Sequence, residues 1–134
     1  MKKILLYLLF LVSTITTAQK SSELIAENSK TDTLQLYKKN AHASYYHDKF
    51  NGRKTASGVR FDNDKLTAAH KKFPFGTKLK ITNEKNNKSV IVKVTDRGPF
   101  IKGREIDLSK KAFMDIASNK QSGLEYVTIE ILTN

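Results

Sequence analysis

Short runs of alternating polarity, one brief helical stripe and a small chain predict a mainly β protein: a small closed barrel with one or two short helices. Three observations carry this. Lys78–Thr82 and Ser89–Thr95 alternate on either side of the polar turn Glu84-Lys85-Asn86-Asn87, which reads as a hairpin. A last run, Tyr126–Leu132, sets Val127, Ile129 and Ile131 on one face. The chain has 134 residues, 39% hydrophobic, with six Gly, two Pro and no Cys, enough for one domain that no disulfide staples. A sheet this small protects its edges best by closing on itself.

Taken in order, Lys2 and Lys3 precede the apolar run Ile4 to Val12, which breaks into Ser13, Thr14, Thr16, Thr17 and Ala18. This is the pattern of a secretory signal peptide over residues 1–18, too short for the roughly 20 residues of a spanning helix. Residues 19–40 are polar and read as a tether or frayed helix. The folded unit is expected over 41–134, opening where Ala43, Tyr45 and His47 alternate with Ser44 and Tyr46. After the hairpin, Ser109 is placed to cap a helix that carries Ala112, Phe113, Ile116 and Ala117 on one stripe, with Gly123 beyond its end. The barrel ends on Tyr126–Leu132.

Lys and Arg number 24 against 13 Asp and Glu, a formal net charge of +11. An exported basic protein meets anionic envelope polymers first, and the lysines are scattered, with no aromatic-flanked signature of nucleic-acid binding. No Gly-rich phosphate loop, paired-His spacing or Gly-x-Ser-x-Gly elbow is present, so no cofactor is expected. His42, His47 and His70 are too dispersed to suggest a metal site.

Chemistry is concentrated in five blocks: Arg53-Lys54-Thr55-Ala56-Ser57-Gly58, Leu66-Thr67-Ala68-Ala69-His70, Phe75-Gly76-Thr77, Thr95-Asp96-Arg97-Gly98-Pro99-Phe100 and Ile106-Asp107-Leu108-Ser109. Asp96 stands at the end of an apolar strand, where its carboxyl either works as an acid or base at the surface or merely caps the Gly98-Pro99 turn. His70 either orients that carboxyl from an adjoining groove, with Asp107 near by, or is a satisfied structural histidine. Asp107 precedes the helix and would favour its N-terminal dipole. Tyr45, Tyr46 and Phe100 offer faces for stacking on sugars, although aromatics near strands are more often core. Arg53, Thr67 and Arg97 are candidate polar contacts.

The five blocks, with Ala43-Ser44-Tyr45-Tyr46-His47 before them and Gly103-Arg104 between the last two, resemble the rare lipoprotein A family of septal lytic transglycosylases. The resemblance runs from Ala41 to about Leu132. It implies a double-psi β-barrel of barwin and expansin type, and cleavage of peptidoglycan between N-acetylmuramic acid and N-acetylglucosamine without water, leaving 1,6-anhydro ends. Asp96 matches the family's catalytic Asp, His70 its Thr-Ala-Ala-His histidine, and Asp107 a functional carboxylate of the expansin relatives. One carboxyl can protonate the departing oxygen and then take the proton of the 6-hydroxyl.

The chain departs from the family in having Val59 where Glu is usual, which removes one carboxylate that Asp62 or Asp64 would have to replace. It also lacks a lipobox Cys and a C-terminal peptidoglycan-binding repeat. The expectation is thus a soluble, periplasmic or secreted monomer acting on glycan strands. The alternative is a non-catalytic, expansin-like module that binds glycan or loosens the wall.

Overall fold

The computed structural model describes residues 31–134, so the signal-peptide reading and the tether as far as residue 30 lie outside the described residues. Strands β1 (Thr33–Tyr45), β2 (Thr67–Ala69), β3 (Lys78–Asn83), β4 (Ser89–Asp96), β5 (Ile106–Leu108) and β6 (Glu125–Thr133) close into a barrel in the order β1-β5-β2-β4-β3-β6. Helix α1 (Lys110–Ile116) precedes β6, and one 3-10 turn, Asp48–Phe50, follows β1. Pairs β1–β5 and β2–β4 are parallel; the other four pairings are antiparallel. The expected hairpin is β3–β4. The two strands that periodicity does not announce, β2 and β5, have three residues each, too few for a period to show.

Alternation puts Leu79 and Ile81 of β3, Val90, Val92 and Val94 of β4, and Val127 and Ile129 of β6 into one apolar core. Ala112, Phe113 and Ile116 of α1 plug it from one side. The helix starts as the sequence predicts, with Ser109 Oγ accepting from the Ala112 N–H at 3.3 Å. Its last carbonyl, on Ile116, accepts from Asn83 Nδ2 at 2.8 Å and Asn86 Nδ2 at 3.1 Å, so the hairpin turn serves as the helix's C-terminal cap.

The barrel begins at Thr33, not Ala41. Residues expected to be tether pair with β6 from Thr33↔Thr133 to Lys38↔Ile129. They are mostly exposed, Leu34 and Leu36 included, so no full face meets the core, and the alternation is broken by register shifts between Leu36 and Lys38 and between Lys38 and Ala41, with Asn40 at φ 52°. Backbone pairing holds this ribbon, helped by Tyr37, whose ring meets His70 at 5.6 Å and Phe73 at 4.6 Å, and by Lys38, which bonds Glu105 at 3.0 Å. A chain starting at Ala41 is expected to melt roughly 5–15 °C below one that retains β1 whole, followed by circular dichroism. An unchanged midpoint would show that the ribbon adds nothing to stability.

Candidate active site

Strand register assembles the site. Ser44 lies opposite Asp107, Asp107 opposite Ala69, and Ala69 opposite Asp96, one row across β1, β5, β2 and β4. The two aspartates are therefore two strand spacings apart, about 10 Å between their backbones. Asp96 reaches this row through an irregularity: Ala68 pairs with Val94 but Ala69 with Asp96, leaving Thr95 as an extra residue. Val94 is in the core, and unbroken alternation would return Asp96 to the core as well; the bulge turns it outward.

Three donors hold the half-buried Asp96 carboxylate. Oδ1 accepts from the backbone N–H groups of Ala56 and Arg97, both at 2.9 Å, and Oδ2 accepts from the Tyr46 hydroxyl at 2.7 Å. Ala56 is delivered by the Thr55-Ala56-Ser57-Gly58 block, folded on itself by Gly58 N–H to Thr55 O and Thr55 N–H to Val59 O, both 2.9 Å, and docked by Ser57 N–H on the Thr95 carbonyl. Gly58 has φ 93°, a conformation that favours glycine. Burial, then the hydrogen bond to Asp96 and the charges of Asp96 and Asp107, push the Tyr46 hydroxyl far above the usual tyrosine range, with Arg104 opposing. The phenol stays neutral.

Asp107 is paired with Arg104, whose Nη2 lies 2.7 and 2.9 Å from its two oxygens, and it also accepts from Ser44 Oγ. Its charge is met by a guanidinium and a hydroxyl, not the helix dipole that the sequence suggests. Ser44 at the end of β1 thus holds Asp107, and Tyr46, the first residue beyond it, holds Asp96. Beside Arg104 and Ser44, an open cleft of about 400 Å³ is lined also by Tyr45, His47 and Leu124.

His70 is not in a surface groove. Its side chain is 1% exposed, and the imidazole turns from Asp96: Nδ1 accepts the Lys72 N–H at 3.1 Å, which leaves Nε2–H to donate to Glu105 Oε1 at 2.9 Å. The rings of Tyr37 and Phe73 pack against it, and only its backbone N–H reaches Asp96, at the carbonyl, 3.2 Å away. The cause is Glu105, which supplies a closer carboxylate. Burial lowers His70's ionisation against the opposing pull of Glu105. Burial pushes Glu105 up, but its bonds to Lys38 and His70 outweigh that and leave it lowered.

The remaining candidates separate. Tyr45 packs on Phe113 at 4.7 Å, and Tyr46 on Phe61 at 4.5 Å and Phe50 at 5.6 Å, so neither ring is a free stacking face. Phe100 is 81% exposed. Arg97 Nη1 donates to the carbonyls of His70 and Phe73 at 3.2 and 2.8 Å and its guanidinium lies over Phe75, so it braces the 70–75 loop. Arg53 lies over Phe50. Thr67 joins β2 to Ser109 through its backbone. Asp62 accepts within its own turn from the Asp64 N–H, and Asp64 lies on a separate cleft with Asp48 and Lys110, so neither replaces a carboxylate beside Asp96. The sequence reading passes over Arg104, Glu105, and Ser44 and Tyr46 as carboxylate donors; the i, i+2 spacing of the last two on a strand was the available signal.

A closed six-stranded barrel with two parallel pairs, carrying a clamped aspartate where β4 ends, defines a double-psi β-barrel with a carboxylate site. The family model described as lytic transglycolase matches residues 38–129, and the chain belongs to that family. It is 47% identical over 96 residues to the endolytic peptidoglycan transglycosylase RlpA of Pasteurella multocida, covering 72% of this chain and 32% of that one. With the protein of the same name from Rickettsia felis it shares 43% over 118 residues, 86% of this chain and 51% of the other. The chain thus spans about a third to a half of these relatives. Among solved structures, Clavibacter michiganensis expansin aligns with TM-score 0.54 at 19% identity over 76% of this chain and 51% of its own. The Streptomyces papain inhibitor aligns at 0.56 and 22%, over 73% and 97%. Both likenesses concern the fold.

Because His70 ionises below its ordinary 6.5, it favours the folded state fully above that pH, and this stability is lost as pH falls toward the lowered value. Glu105 acts with the same sign, from 4.5 downward. Melting temperature should therefore decline through the window below about pH 6.5. His70→Gln, which keeps a donor for Glu105 but does not titrate, should flatten that window while lowering the plateau. Equal slopes in the two proteins would refute the assignment.

Proposed function

We propose that this protein is an exported lytic transglycosylase of peptidoglycan, cleaving between N-acetylmuramic acid and N-acetylglucosamine and leaving 1,6-anhydro ends. The observation that carries the reading is the Asp96 carboxylate, turned out of the core by a bulge and fixed by three donors. Membership of the lytic transglycolase family and the names of the relatives support it.

In this reading Asp96 protonates the bridging oxygen as the bond from the muramyl C1 breaks. The 6-hydroxyl oxygen then closes on C1 and returns its proton to Asp96, so one carboxyl serves both turns and no water enters the product. Orientation comes from the two backbone amides on Oδ1 and the Tyr46 hydroxyl on Oδ2, which fix the carboxyl plane. Phe100 offers an uncovered ring to a sugar face, and the open cleft beside Arg104 and Ser44 gives it a polar wall. The apolar leader at residues 4–12 and the chain's positive charge support export toward an anionic wall, in the periplasm or outside the cell.

Purified glycan strands lacking stem peptides, analysed by mass spectrometry for anhydro ends, test the reaction. Asp96→Asn is expected to lower their release by roughly 10²-fold or more with folding retained. Asn fits the clamp, since its carbonyl can accept both N–H groups and its amide can donate to the Tyr46 oxygen. Wild-type protein that binds strands yet releases no anhydro ends would replace the enzyme with a non-catalytic, expansin-like binder. Phe100→Ala should raise KM by about 2- to 10-fold with kcat little changed, the scale of one lost stacking contact; an unaltered KM would remove Phe100 from the glycan path.

A further inference from the structure

The two oxygens of Asp96 are not equivalent, and the difference assigns the proton. Both donors on Oδ1, the Ala56 and Arg97 amides, are backbone N–H groups, which donate and never accept. A proton on Oδ1 would face two other protons and forfeit a hydrogen bond. The donor on Oδ2 is a hydroxyl, which can turn about its C–O bond and accept instead. Tyr46 is suited to this, since its ring is fixed between Phe61 and Phe50 while its hydroxyl remains the free rotor.

Resting on the reading of Asp96 as the acid and base of glycan cleavage, the geometry points to Oδ2 as the oxygen that carries the transferable proton, with the Tyr46 hydroxyl as its reversible partner, donating to the carboxylate and accepting from the acid. Tyr46 is thereby a positioning residue for the reaction, not a sugar-stacking surface. Each step balances: the proton leaves Oδ2 for the bridging oxygen as the C1–O bond breaks, and Tyr46 swings to donate to the new carboxylate. When the 6-hydroxyl oxygen bonds to C1, its proton goes to Oδ2 and Tyr46 swings back. Asp96 and Tyr46 end as they began.

Other charged groups near this pair are held elsewhere. Arg97's guanidinium is spent on the His70 and Phe73 carbonyls, Arg104 on Asp107, the His70 imidazole on Glu105, and Arg60 on the Gly52 carbonyl, while Arg53 lies over Phe50. Asp107 and Arg104 act on Tyr46 only through space.

The test uses the full chain carrying tyrosine labelled with ¹³C at Cζ, with Tyr46 assigned by its loss in Tyr46→Phe. In wild type the Tyr46 signal should inflect where Asp96 gains its proton, marking the change from donor to acceptor, and in Asp96→Asn that inflection should vanish. Tyr46→Phe, which keeps the ring's packing, should lower kcat about 10-fold with KM within about 2-fold. A Tyr46 signal that stays flat in wild type, or one whose inflection survives in Asp96→Asn, would overturn the partnership; so would an undiminished kcat in a folded Tyr46→Phe. If Tyr46→Phe does not fold, the Tyr46 signal is assigned by elimination, from the losses in Tyr7→Phe, Tyr37→Phe, Tyr45→Phe and Tyr126→Phe, and the wild-type spectrum still decides. Undiminished cleavage by Asp96→Asn would instead defeat the acid-base reading, while the spectra, recorded without substrate, judge the hydrogen-bond partnership on its own.

Discussion

A strand that alternates faces cannot hold Val94 in a core and Asp96 on a surface unless its period breaks between them. The extra residue at Thr95 is that break, and the site depends on it. It brings Asp96 into the row of Ser44, Asp107 and Ala69, points its carboxylate at the Tyr46 hydroxyl, and leaves the Thr95 carbonyl free to dock the loop that supplies the Ala56 amide. A regular β4 would bury an unpaired carboxylate in an apolar core at a cost of several kcal/mol.

The fold was readable wherever a strand was long enough to show its period and one face met the core. β3, β4, β6 and the Ser109 cap meet both conditions, and their limits follow from residues such as Leu79, Val92 and Ile129. The first half of β1 fails the second condition, because it is held by pairing, the ring of Tyr37 and the Lys38–Glu105 ion pair, which leave no trace in a polarity pattern. β2 and β5 fail the first.

Within the site, strand register sets Asp96 and Asp107, each carried by a motif block, on one row, but their neighbours serve purposes the blocks do not suggest. The Thr-Ala-Ser-Gly block serves Asp96 with a backbone amide, a function no side-chain pattern reveals. The motif reading turns His70 toward Asp96, yet its partner is Glu105, a residue that no motif marks and that the pairing of β2 with β5 brings within 2.9 Å. Tyr46 stood out for its ring and matters for its hydroxyl. Such differences arise because hydrogen-bond partners distant in sequence are chosen by register, and register exists only once the strands are paired.

The pairing of Thr33 with Thr133 has a bearing on the order of events during synthesis. β6 lies between β1 and β3, so until the last strand of the domain emerges, both of those strands keep an open edge and the barrel cannot close. Folding is therefore governed by contacts that join the two ends of the domain, the slow class of topology, and the barrel stays open until the domain is nearly complete. A stop ahead of β6 would yield not a smaller barrel but an unclosed sheet, with two free edges available to pair with other chains.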